Sequence, residues 1–196
     1  MHSRRLFLQT SAAAASTILA ASRGLAAGAL KDRSRPIDAI VFDQRLGACR
    51  DFADEAVRHG AEALGIRGDI SELWYTDLRA RLQANPTIVA GLTLEPAAYH
   101  LRAFARDIAY QEIFRGDHVL DGRQVRHRVS APTSLETTAE RLPETANGWV
   151  RAVTRLMSEI DADSKLRDRT TVGAHVHTYS DDEHRLVSWV IAPIYS

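Results

Sequence analysis

The chain has 196 residues, with 25 Lys and Arg against 25 Asp and Glu and 45% hydrophobic side chains. That balance fits one ordinary globular domain, since a disordered chain carries fewer apolar residues and a membrane protein far more. A net charge near zero gives no long-range attraction to nucleic acid or an anionic bilayer, and one cysteine excludes an internal disulfide framework and any multi-cysteine zinc or iron–sulfur site.

In the leader, Ser3, Arg4, Arg5, Leu6, Phe7 and Leu8 precede a mildly apolar, alanine-rich run from Ser11 to Ala21, and Arg23 follows it. This segment resembles the twin-arginine (Tat) export signal of exported bacterial proteins, in which paired arginines stand before an apolar residue and a modest hydrophobic stretch. The small residues Ala27-Gly28-Ala29 put the expected cleavage after Ala29, so 1–29 reads as signal and 30–36 as a polar linker closed by Pro36. The run is too short and too weakly apolar for a stable membrane span. Cleavage removes three arginines and no acid, leaving 22 basic against 25 acidic side chains and a single domain over 37–196. The resemblance, confined to the leader, implies a periplasmic destination and folding before passage through the Tat translocase. It also implies either a cofactor inserted beforehand or a partner carried along, such as a cofactor-bearing redox subunit.

In the mature chain, Ala39 to Phe42 is a continuous apolar run closed by Asp43, the pattern of a strand buried on both faces. Cys49, Phe52, Ala53, Ala56 and Val57 recur at helical spacing up to Gly60, which makes Cys49 a small buried residue rather than a reactive thiol. Ala63 to Ile66 predicts a second strand. Asp69 and Glu72 have the spacing of a capping box for a helix with Ile70, Leu73, Trp74 and Leu78 on one face, stopped by Asn85-Pro86. Ile88 to Ala90 predicts a third strand ended by Gly91, and Thr93 to Pro96 opens a helix with Ala97, Leu101, Phe104, Ala105 and Ile108 inward.

The grammar then changes. Ile113–Leu120 and Gln124–Val129 flank Asp121-Gly122, a hairpin signal. Residues 134–160 read as a long helix broken near Pro143, 161–171 as a charged loop, His175 to Tyr179 as a short strand, and Leu186 to Ile191 as a last one. The predicted class is α/β and three-layered: a mostly parallel β-α-β-α-β-α sheet with a hairpin, a long helix and an antiparallel C-terminal strand added.

In such a sheet ligands bind beyond the carboxyl ends of the parallel strands. That edge should gather Asp43, Gln44 and Arg45 from the first loop, Arg67 and Asp69 from the second, and Gly91 and Thr93 from the third. Free helix amides and the fork of Arg45 would suit a small anion. The competing reading makes Asp69 and Thr93 helix caps and lets Asp43 and Arg45 neutralise each other. His175 and His177 share one face of a strand and could hold a metal, with a third ligand from His118, His127 or His184. No dinucleotide, nucleoside triphosphate or serine-nucleophile motif occurs, so no cofactor is identified. The expected function is a periplasmic non-catalytic accessory or small-ligand-binding protein associated with an exported oxidoreductase. The alternatives are an enzyme using Asp43 or Asp69 as acid/base at the same edge, and a histidine-based metal binder.

Overall fold

A computed structural model describes residues 37–160, 168–173 and 184–194. The first half alternates as its periods predict: β1 (Ala39–Asp43), α1 (Gly47–Arg58), β2 (Glu62–Ile66), a helix over 71–84, β3 (Val89–Leu94) and α4 (Glu95–Arg106). The helix over 71–84 consists of α2 (Ser71–Leu73), a π-helical stretch Trp74–Leu78 and α3 (Arg79–Ala84). The stretch buries Trp74 and leaves Tyr75 outside. β1 pairs in parallel with both β2 and β3.

The second half is antiparallel. β4 (Tyr110–Asp121) and β5 (Gln124–Pro132) form the hairpin, β6 (Arg169–Gly173) adds to β5, and β7 (His184–Pro193) runs between β3 and β4. Among the described residues the resulting sheet has seven strands, in the order β2-β1-β3-β7-β4-β5-β6. Between β5 and β7 lie α5 (Glu136–Glu140) and α6 (Trp149–Ser158). The break expected near Pro143 is wider than one turn. Proline carries no N–H and disfavours helix in the residue before it, and Gly148 then enters α6 in a left-handed conformation at φ 89°. The loop expected over 161–171 is corrected at its far end, where Arg169 to Thr171 belong to β6. Arg169-Thr-Thr-Val carries β-branched residues whose pairing partners, Pro132, Ala131, Ser130 and Val129, lie far back in the chain on β5.

Strand alternation sends successive side chains to two helical layers. On one face Ile40, Ala90, Leu92, Leu186 and Val190 meet Cys49, Phe52 and Ala53 of α1 and Trp149, Val153 and Leu156 of α6. On the other, Val41, Val89, Val187, Trp189 and Ile191 meet Trp74, Leu78 and Leu82, together with Ala97, Leu101 and Ala105 of α4. This double covering is why the strands read as unbroken apolar runs instead of alternating ones. Cys49 is buried as expected, and burial pushes its thiol up to about 12. Among the described residues no helix is long and apolar enough to cross a membrane.

Gly91 marks the tightest point of the second layer. It stands directly across from Trp189, and a Cβ there would overlap the indole Cζ2 and lie 2.7 Å from the Val41 carbonyl oxygen. Gly91→Ala should therefore destabilise the protein by about 1–3 kcal/mol, as overpacking of a closed core does. Chemical denaturation measures this, and an unchanged midpoint would refute the packing described.

Candidate functional site

With β1 between β2 and β3, the chain leaves β1 for α1 on one face of the sheet and leaves β3 for α4 on the other. Neighbouring strands whose following helices part in this way are a topological switch point, where loops diverge and ligands collect in α/β sheets. β3 passes directly into α4 with no loop between them, while the loops after β1 and β2 share this edge. Their side chains are more mutually engaged than the sequence indicates.

Asp43 is fully buried at the end of β1, and Arg45 returns to it with two parallel bonds: Nε donates to Oδ1 at 2.9 Å and Nη2 to Oδ2 at 2.7 Å. The Arg45 backbone N–H also donates to Oδ1, at 3.1 Å. Burial pushes the Asp43 carboxyl up, but the hydrogen bonds and charge of Arg45 outweigh it, leaving the pKa below the usual value. The guanidinium stays half-exposed. Its rear packs on Gly68, whose φ of 90° and lack of a Cβ make room for it. The side chain of Gln44 similarly lies over Gly65, and the Gln44 carbonyl accepts from Arg50 Nη1 at 2.8 Å.

The second loop contributes less. Asp69 accepts from the Ser71 N–H at 2.9 Å, which lowers its pKa, but Ile70 stands at the N-cap of α2, so Asp69 braces the turn one residue before the cap expected of it. Arg67 is exposed, with no partner among the described residues. Thr93 corrects both expectations placed on it. It is neither a cap nor a rim ligand, because pairing with β7 prolongs β3 to Leu94 and delays α4 to Glu95. The buried Thr93 hydroxyl instead accepts from the Trp189 indole N–H at 3.2 Å. Gly91 also lies within β3, under Trp189, and not in the loop.

Two arrangements emerge that the sequence analysis did not assemble. The first is ionic. Arg115 Nη2 donates to Glu95 Oε2 at 2.5 Å and to Asp117 Oδ1 at 3.0 Å, and Arg185 Nη2 donates to the same Asp117 oxygen at 2.7 Å. These bonds tie the first residue of α4 to β4 and β7. The second lies on the opposite face, where His118 and His127 stand directly across the hairpin. Their Nδ1 atoms are 2.7 Å apart, His118 Nε2 is 2.7 Å from Ser188 Oγ, and His127 Nε2 is 2.8 Å from the Pro143 carbonyl oxygen. The hairpin turn carried the signal for this pair. The turn residues are Gly122 and Arg123, with Asp121 opposite Gln124, and three steps back His118 meets His127. A turn centred on Asp121-Gly122 would have set His118 against Val125 instead.

All four nitrogens of the two imidazoles are engaged, which leaves no free lone pair for a metal. Among the described residues no group of three or more His, Cys, Asp or Glu could hold one. His175 and His177 lie outside the described residues. Comparison with protein-family models, with curated proteins and with solved structures finds no match in any of the three.

Thr93→Val keeps the shape of the Thr93 side chain but removes the acceptor for the buried indole N–H. It should cost about 1–3 kcal/mol, the usual penalty of an unsatisfied buried donor, and equilibrium unfolding followed by tryptophan fluorescence measures it. Full stability in the variant would mean that Thr93 is not the acceptor.

Proposed function

We propose that the protein is an exported, non-catalytic accessory or small-ligand-binding protein that takes an anionic ligand at the edge formed by the loops after β1 and β2, with Arg45 as the contact. Export by the twin-arginine route and association with a cofactor-bearing redox subunit belong to the same proposal. They rest on Arg4, Arg5 and the apolar run behind them. The observation that carries the binding reading is the Asp43–Arg45 pair. A buried carboxylate holds Nε and Nη2, so the guanidinium is fixed in direction while half of it faces solvent beside the switch point. An arginine pre-oriented in this way loses little conformational freedom on binding a carboxylate or phosphate.

The enzymatic alternative ranks second because its proton carriers are poorly placed. Asp43 is sealed from solvent, and both Asp43 and Asp69 have pKa values lowered by their hydrogen bonds. Each is ionised at neutral pH and is a weak general base there, whereas acid/base work calls for a carboxyl raised toward neutrality.

Arg45→Lys tests the binding reading. It keeps a positive charge beside the buried Asp43 but removes the planar fork. Calorimetric titration with inorganic phosphate and with small dicarboxylates should show binding to the unaltered chain and a loss of about tenfold or more in the variant, as expected when a charge-assisted bond disappears. Equal binding by both proteins, or by neither, would remove this edge from consideration.

A further inference from the structure

The buried chain Ser188, His118, His127 and Pro143 admits a definite count of protons. A carbonyl oxygen can only accept, so His127 Nε2 donates to Pro143. In neutral His127 the other nitrogen, Nδ1, must then accept, and the facing Nδ1 of His118 supplies the proton. Neutral His118 therefore presents a bare Nε2 to Ser188, whose hydroxyl donates to it. One terminal carbonyl thus fixes both tautomers and the direction of every link.

The surroundings are built for the neutral state. His118 and Ser188 have no exposed surface, the Trp149 ring lies 4.9 Å from the His118 ring and 5.7 Å from that of His127, and Phe114, Leu186 and Val190 share the same core. Burial, and after it the neighbouring His127, hold His118 well below the ordinary imidazole range. Burial also lowers His127, against a smaller opposing effect of the Pro143 carbonyl and Glu144. Among the described residues, Glu144 is the carboxylate that acts on the pair. Asp117, Arg126, Arg128 and Arg185 on the same three strands occupy the alternate positions that face the other side of the sheet. From β7 the chain is met by Ser188, and from α6 by the Trp149 ring, neither of them charged.

An added proton has one place to go without breaking a link. His118 Nε2 can hold it if Ser188 turns its hydroxyl toward the Gly116 carbonyl, a long 3.5 Å away. A second added proton would set two N–H groups against each other across the 2.7 Å Nδ1 contact. The weakest wall of this enclosure is the segment after Pro143. Residues 144–148 are exposed, and they are tied to the hairpin by the Val125 N–H to Glu144, the Ala146 N–H to Arg123, each at 2.9 Å, and the His127 bond itself.

We propose that this chain is an acid-operated latch: proton uptake by the His118–His127 pair releases residues 143–148 and the start of α6 from the hairpin, exposing the Trp149 side of the core. The sign follows from linkage. Groups that titrate lower in the closed form favour it above their ordinary value, near pH 6.5, and oppose it increasingly as the pH falls below that value. Release uncovers His127 first, since it is the partly exposed member of the pair.

Amide hydrogen exchange of the full chain between pH 8 and pH 5, corrected for intrinsic rates, reads this opening at Val125 and Ala146. The opening constant should rise by up to about tenfold per pH unit below about 6.5 in the unaltered protein and stay flat in His127→Gln, whose amide can still donate to Pro143. A flat profile in the unaltered protein, or an equal slope in the variant, would overturn the proposal. Nitrogen NMR of the imidazoles provides a test that needs no variant. At pH 8 the protons should be on His118 Nδ1 and His127 Nε2. A proton on His118 Nε2, or displacement of these protons by one equivalent of zinc, would also overturn it.

Discussion

Much of this molecule depends on where the last strand goes. β7 enters between β3 and β4, so no strand of the parallel half pairs directly with β4, β5 or β6, and the hydrogen-bond ladder joins the two halves through β7. Its alternate residues supply both layers of the core: Leu186, Val190 and Ala192 face α1 and α6, while Val187, Trp189 and Ile191 face the helix over 71–84 and α4. Two consecutive residues of β7 also complete polar arrangements on opposite faces, Ser188 with His118 and Trp189 with Thr93. A strand made last in the chain thus closes the hydrogen-bond ladder, the two hydrophobic layers and the buried polar groups together.

The polar groups show how different degrees of exclusion from water produce different chemistry. At the open edge, Asp43 carries charge into the core and keeps it because Arg45 follows it with a fork of donors, leaving a fixed cation at the surface. Between the hairpin and α6 the need to satisfy buried polar atoms is met, among the described residues, with neutral groups, each donating to the next toward a carbonyl. The first arrangement leaves a guanidinium held in place and half-exposed at the ends of the parallel strands. The second responds to protons because charge is what its enclosure excludes.

The parallel half was legible in the sequence because its signals are local. Apolar runs of three or four residues, helical spacing from Cys49 to Ala56 and the stop at Asn85-Pro86 each depend on residues a few positions apart; they locate β1, β2 and the helices after them, whereas β3 runs past its expected end at Gly91 to Leu94. The rim residues were legible as neighbours but not as partners. Arg45 and Asp43 are two apart in the chain, whereas the exit of Thr93 from the rim depends on β7, a strand that begins at His184. β6 escaped detection for a similar reason, since a short polar run becomes a strand only when β5 offers an edge. The histidine pair was readable only from the turn register, where an error of one residue changes the partner of every position.

β7 makes one cooperative body out of two halves of different topology. The most direct test is equilibrium unfolding followed separately at Trp74, in the parallel half, and at Trp149, in the antiparallel half, using variants in which the other two tryptophans are replaced by phenylalanine. Coincident transitions with the same midpoint and slope are expected. A Trp74 signal that persists after the Trp149 environment has melted would contradict it, because the parallel half would then stand without the strand said to complete it.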